Sequence, residues 1–315
     1  MPSLDGRVAL VAGATRGAGR GIARMLGEAG AVVYCTGRST RDHPATGAHA
    51  GRPETVEETA ALVDAAGGVG VAVRVDHAVE GEVAALVARI LGERGRLDLL
   101  VNVLGGPPAE GASPFWEAPV AEGRALVDGW LWPHLITCRH ALPPMVARRS
   151  GLVVEVVESH TLAPLAPLYF DLAVTAIKWL SHALAEELAP HGVTALAVAP
   201  GFMRTEQVLA HFGTTEEGWR ATAETSAAAR RYGLAGSETP CFVGRGVAAL
   251  AADPGAGSLS GGVYGSWQLA ERYGVTDVNG ERPHWERYLA ANFPALAEAR
   301  PRTGRRWTVE AGAAG

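Results

Sequence analysis

Seven short runs rich in β-branched residues recur along the chain: RVALVA (7–12), AVVYCT (31–36), GVAVRV (70–75), LDLLVNV (97–103), GLVVEVV (151–157), VTALAVA (193–199) and GGVYGS (261–266). Between them lie stretches with helical periodicity, from Arg20 to Ala29, Thr55 to Ala66, Glu82 to Glu93 and Ala173 to Leu188. Strands separated by helices must return to the same sheet edge by crossovers. The order therefore predicts an α/β domain built on a doubly wound parallel sheet of about seven strands, with ligands at the carboxyl ends of the strands.

Three segments exceed this minimal pattern. STRDHPATGAHAGRP (39–53) is a polar insertion after strand two, LGGPPAEGASPFWEAP (104–119) is a Pro/Gly-rich loop after strand four, and a helical-looking insertion runs from Phe202 to about Thr239 after strand six. The last two border the expected ligand crevice and are read as lids. Residues 1–270 are expected to form one domain, with a lid at about 202–239, and residues 271–315 a tail whose Ala/Gly-rich end is disordered.

With 48% hydrophobic residues in 315, the chain can bury one sizeable core. A formal charge of -5 gives no global attraction to nucleic acid or an anionic membrane, and the Arg302, Arg305 and Arg306 cluster is read as part of a solvated tail. Cys35, Cys138 and Cys241 stand far apart without a C-x-x-C pair, so no metal site is expected and the thiols suit a reducing cytoplasm. The opening MPSLDGRVALVAG lacks a leader pattern, and no apolar run reaches membrane-spanning length; a soluble cytoplasmic protein is expected.

VALVAGATRGAGRGIA places Gly13, Gly17 and Gly19 between a strand and a helix, where a pyrophosphate can approach backbone N–H groups and the positive helix end. Arg38 follows strand two where a carboxylate would hold an adenosine ribose, and Arg16 lies within the glycine turn. Guanidinium groups match a 2′-phosphate, so the pair favours NADP(H) over NAD.

With these motifs the sequence resembles the short-chain dehydrogenase/reductase superfamily over roughly residues 5–270. The resemblance implies a Rossmann fold and a dinucleotide site to which Asp76 of VRVDH, Asn102 of LLVNV, and Pro200, Gly201 and Thr205 of APGFMRT contribute. SPFWEAP and the ending SLSGGVYGSWQLAERYGVTDVNG are similar to the subgroup named after dehydrogenase/reductase family member 1. The resemblance also implies pairing through the helices after strands four and five, as a homodimer or homotetramer.

Members of that superfamily carry Tyr-x-x-x-Lys on the helix after strand five, two residues that share one helical face. Counting back from LSHALAEELAPHGVTALAVAPG puts Phe170 at the tyrosine position and Val174 at the lysine position, and neither can transfer a proton. Sliding the register to Tyr169 gives Ala173 as partner, while Lys178 is preceded by Val174 and reads as an exposed or interface side chain. The serine of strand five is replaced by Val157 or Glu158, and the helical asparagine falls near Trp130.

Replacement groups stand close by in sequence: Glu158 and His160 after strand five, and Tyr169 beside the vacant tyrosine position, are the candidate catalytic residues. Trp116, Trp130, Trp132, Trp219 and Phe170 are candidates for an aromatic pocket. Three functions remain open. The first, slightly preferred, is isomerisation, dehydration or cyclisation of a small carbonyl or hydroxyl compound without net redox change. The second is NADPH-dependent carbonyl reduction with a relocated proton donor, and the third is a non-catalytic NADP-binding sensor or partner subunit.

Overall fold

Seven parallel strands form a single sheet in the order β3-β2-β1-β4-β5-β6-β7. They are β1 (Val8–Ala12), β2 (Val32–Gly37), β3 (Val69–Arg74), β4 (Leu99–Asn102), β5 (Gly151–Val156), β6 (Val193–Ala199) and β7 (Val263–Gly265). The computed structural model describes residues 3–106, 114–161 and 167–294. Every predicted strand is present, and the order reverses between β1 and β4, which opens a crevice at their carboxyl ends.

Side chains alternate across the sheet and fill two cores. Val11, Val33, Val101, Val154 and Val198 point to the face covered by α1 (Gly17–Glu28), α2 (Val56–Ala65), α9 (Pro240–Ala252) and α10 (Ser266–Tyr273). Leu10, Tyr34, Leu100, Val153 and Ala195 point to the other face, under α3 (Glu80–Arg94), α4 (Val120–Arg148) and α5 (Leu168–Leu188). The central strands are apolar on both faces because both are covered.

α4 is the element that periodicity obscures. Its 29 residues contain Pro133, Pro143 and Pro144, each lacking the N–H of a helical bond. The helix continues through them because Cys138, Ala141 and Met145 bury against the sheet.

The lid insertion folds as α6 (Glu206–His211), α7 (Trp219–Thr225) and α8 (Ala227–Tyr232), around a small core of Trp219, Ala223, Ala229 and Leu234. The segment after Leu269 is not the simple tail expected. It completes α10 and then forms α11 (Trp285–Asn292), whose Trp285 stacks on Tyr288 and lies 5.7 Å from Phe202 of the lid insertion. Short helices joined by Pro and Gly carry little periodic signal. The Arg302 cluster and the Ala/Gly-rich end lie outside the described residues, as do residues 107–113 of the loop after β4. Among the described residues no helix is long and apolar enough to cross a membrane.

α1 and α9 approach until their backbones touch. A Cβ on Gly21 would lie 2.2 Å from the Pro240 carbonyl oxygen, and one on Gly244 would lie 2.7 Å from the Gly21 carbonyl oxygen. Gly21→Ala should therefore force the helices apart and lower stability by about 1–3 kcal/mol, the usual cost of overpacking. Urea unfolding followed by circular dichroism would measure this, and an unchanged midpoint would contradict the close packing.

Candidate active site

The turn after β1 can be made only with glycine. Gly13 has φ 87°, and a Cβ there would lie 2.2 Å from the Val103 carbonyl oxygen; a Cβ on Gly19 would lie 2.1 Å from the Gly13 carbonyl oxygen. Gly17 opens α1, and its N–H donates to the Glu206 carboxylate at 2.9 Å, with Arg20 Nε 3.8 Å from the other oxygen. Thr205 caps α6 by accepting from the Val208 N–H, and its methyl group lies against Gly17.

Beyond this turn, a cavity of about 220 Å³ opens among the carboxyl ends of β4, β5 and β6. Ala18 of α1, Leu104 and Gly105 after β4, Trp130 of α4, Glu158 after β5, and Pro200 and Gly201 after β6 contribute to its wall. It contains the one sequence-predicted catalytic candidate that the fold brings to the strand ends and into the cavity, Glu158. The accessible surface of Glu158 opens along the cavity, and protein crowds the carboxyl closely enough that desolvation raises its pKa, against the opposing charge of Lys178.

Lys178 is not the exposed or interface side chain expected from its place in the sequence. It is 8% exposed, and its Nζ donates to the Thr161 carbonyl oxygen at 2.5 Å. Burial lowers the ammonium to about 8, while the charges of Asp171 and Glu158 oppose that shift. Lys178 lies two turns along α5 from Phe170, so the face of α5 that carries Phe170 and Val174 leads to a cation electrostatically coupled to Glu158.

The other candidates serve packing. Phe170 meets Trp130 edge to face at 5.1 Å, and Val174 is buried. Tyr169 packs edge to face on Phe115 at 5.4 Å, with its ring against Gly123 of α4. His160 packs edge to face on Trp267 at 4.9 Å and lies 3.8 Å from Glu286 of α11. The aromatic pocket reduces to Trp130: Trp116 is 80% exposed, Trp132 is exposed and donates to Asp128, and Trp219 is buried beneath Arg204 and Arg220.

Among the expected cofactor residues, Gly13, Arg16, Gly17, Gly19 and Thr205 gather at the glycine turn, with Pro200 and Gly201 in the cavity wall. Arg38 is exposed at the end of β2. Asp76 accepts from the Ala78 N–H at 3.0 Å after β3.

Asn102 is fully buried, and its amide donates to Glu155 at 2.8 Å. It belongs to a core network behind the cavity. Glu155 of β5 also accepts from the Cys138 thiol and from His134 Nδ1, and His134 Nε2 donates to the Leu104 carbonyl at 2.9 Å. Both ring nitrogens face acceptors only, so the imidazole is doubly protonated and forms a buried ion pair with Glu155. Burial alone would lower the imidazole, but the Glu155 carboxylate more than offsets it and holds the ring above its ordinary range. The pair ties α4 and β5 to Leu104, a residue of the cavity wall.

A family profile described as short chain dehydrogenase matches residues 7–213. The chain belongs to the short-chain dehydrogenase family. It is 32% identical over 282 residues to human dehydrogenase/reductase SDR family member 1, covering 88% of this chain and 85% of that protein, and 33% identical to the mouse counterpart over 283 residues. A solved short chain dehydrogenase of Mycobacterium thermoresistibile superposes with a TM-score of 0.71 at 22% identity, covering 90% of this chain and 92% of that one. A hydroxysteroid dehydrogenase of Escherichia coli superposes with a TM-score of 0.66 at 21% identity, covering 84% and 96%. The relatives are named as dehydrogenases and reductases, which weights the open functions toward oxidoreductase chemistry.

Sequence reasoning passed over His134 and Glu155 in this short-chain dehydrogenase. A charged residue inside the apolar run LVVEVV was the available signal for the second; a lone histidine within a proline-rich helix gave none for the first. His134→Ala should cost about 3–5 kcal/mol by leaving a buried carboxylate unpaired. The unfolded imidazole titrates near ~6.5, so with a raised folded pKa this contribution is complete below that pH and is lost as pH rises through the folded value. Urea unfolding of the wild type across that range should show this loss, and the variant should not. Equal stability of the two proteins at pH 6 would contradict the ion pair.

Proposed function

We propose that the protein is an NADP(H)-dependent oxidoreductase of a small carbonyl or alcohol substrate, with Glu158 as its proton donor. The observation that carries this reading is the Glu158 carboxyl in the wall of the cavity, facing the strand ends that the fold uses for ligands. The cofactor suits the residues present. The glycine turn leads from β1 directly into the N-terminus of α1, where the Gly17 N–H is held by Glu206, and Arg16 keeps a buried Nη2 without a partner among the described residues.

When bound, NADPH supplies a hydride to the carbonyl carbon. Glu158, whose carboxyl is pushed upward by desolvation, gives its proton to the carbonyl oxygen, and the carboxylate left behind is stabilised by the Lys178 ammonium. In the register fixed by Pro200 and Gly201, Phe170 and Val174 stand where the family's tyrosine and lysine are expected. The reading therefore moves the acid from α5 to the end of β5. The same carboxyl would serve an isomerase or dehydratase; the edge-to-face Trp130–Phe170 pair, which leaves that corner apolar, favours this second reading.

Glu158→Gln should lower kcat for NADPH-dependent reduction by roughly 10²–10⁴-fold, the range of a general acid, with little change in NADPH affinity. The wild-type rate should fall as pH rises through the raised Glu158 pKa. An unchanged kcat and pH profile in the variant would remove Glu158 from the chemistry.

We also propose that two copies pair through α4 and α5, where Trp132, Leu172 and Trp179 are exposed. Light scattering should give at least a dimer mass, and a monomer at high protein concentration would rule the pairing out.

A further inference from the structure

The polar insertion after β2 delivers a second set of charges to the glycine turn. Arg52 forks onto Glu54, with Nε 3.2 Å from Oε2 and Nη2 on Oε1, and Arg16 Nε reaches the same carboxylate at 3.4 Å. The Glu54 side chain is 7% exposed. Burial would raise its carboxyl, but Arg52 and Arg16 hold it below its ordinary range. Glu54 is therefore a buttress for two guanidiniums rather than an acceptor for a ligand.

The cluster remains unbalanced. His49, at the end of a short 3-10 turn (Gly47–His49), is pushed down by burial and then by Arg16, Arg38 and Arg52, with Glu54 alone opposing among the charges that act on it. Arg16, Arg38 and Arg52 outnumber Glu54 and Glu206, the carboxylates that act on His49 or Arg16, so the cluster keeps a positive excess. Two nitrogens in this cluster are buried without a hydrogen-bond partner among the described residues, Arg16 Nη2 and His49 Nδ1. Buried unpaired groups are rare in folded proteins, and a guanidinium and an imidazole beside surplus positive charge call for an anion.

We propose that His49 and Arg52 join Arg16 in a cradle for a phosphate monoester, the 2′-phosphate of the dinucleotide, with Glu54 fixing the two arginines. The inference rests on the cofactor reading above and adds to it the insertion 39–53 as the element that sets cofactor choice. A phosphate monoester carries about −1.5 to −2 charge at neutral pH, opposite in sign to that excess, and its three oxygens accept from guanidinium and imidazole together. The exposed Arg38 lies at the outer edge of the same cluster.

Isothermal titration calorimetry of the full chain with 2′,5′-ADP and with 5′-AMP isolates the phosphate, since the two ligands differ only in the 2′-phosphate. The wild type should prefer 2′,5′-ADP by tenfold or more. His49→Gln and Arg52→Gln should each reduce that preference by about tenfold, the scale of a hydrogen bond to a charged group, with 5′-AMP affinity unchanged. Arg52→Gln disturbs Glu54 as well, so His49→Gln, which leaves the Arg52–Glu54–Arg16 contacts in place, is the decisive variant. Equal affinity of the wild type for both ligands, or no binding of either, would overturn the inference together with the NADP reading. A preference retained in both variants but lost in Arg38→Gln would place the phosphate outside the cradle and overturn the inference alone.

Discussion

The hydrogen-bonded ion pair between His134 and Glu155 is the interaction on which the catalytic end of the sheet depends. Two charges inside a packed core are costly unless every lone pair and proton finds a partner. Here the Glu155 oxygens accept from Asn102, Cys138 and His134, and the second imidazole proton goes to the Leu104 carbonyl. The network thereby joins β4, β5 and α4 at the point where the chain leaves the sheet to form the cavity wall. A charge that must be buried and paired fixes the relative position of three elements more strictly than apolar contacts, which tolerate sliding.

On that base the cavity combines three local constraints. Backbone contact at Gly13 and Gly19 closes the first turn against β4, Glu158 projects at the end of β5, and Pro200–Gly201 forms the opposite wall. Desolvation acts on the two ionisable groups in opposite senses, raising the carboxyl of Glu158, whose surface opens on the cavity, and lowering the buried Lys178 ammonium to about 8. The two shifts run toward each other, the sense that favours passing a proton from the carboxyl and regaining it.

Most of the fold was legible because strands buried on both faces write themselves as apolar runs, and all seven runs became strands. The glycine turn was legible because backbone contact forbids any other residue at Gly13 and Gly19. The site was harder to read. Glu158 could be placed from its position at the end of the strand-five run, but the burial of Lys178 could not, because lysine on a helix face ordinarily points to water. Tyr169, His160 and Trp116 had suitable chemistry in suitable sequence positions, yet α5, α10 and the loop after β4 turn them away from the cavity. α11 was missed because eight residues carry too few turns for a periodic signal.

Hydride transfer with a carboxyl donor in place of the family's tyrosine is the reaction proposed for this cavity. Incubating the purified protein with NADPH deuterated at the transferable position and a panel of small ketones and aldehydes, followed by mass spectrometry of the products, tests it most directly. One deuterium should appear on the carbinol carbon, with one NADPH oxidised per product. Unlabelled product formed without NADPH oxidation would contradict it and establish acid–base chemistry without redox change in the same cavity.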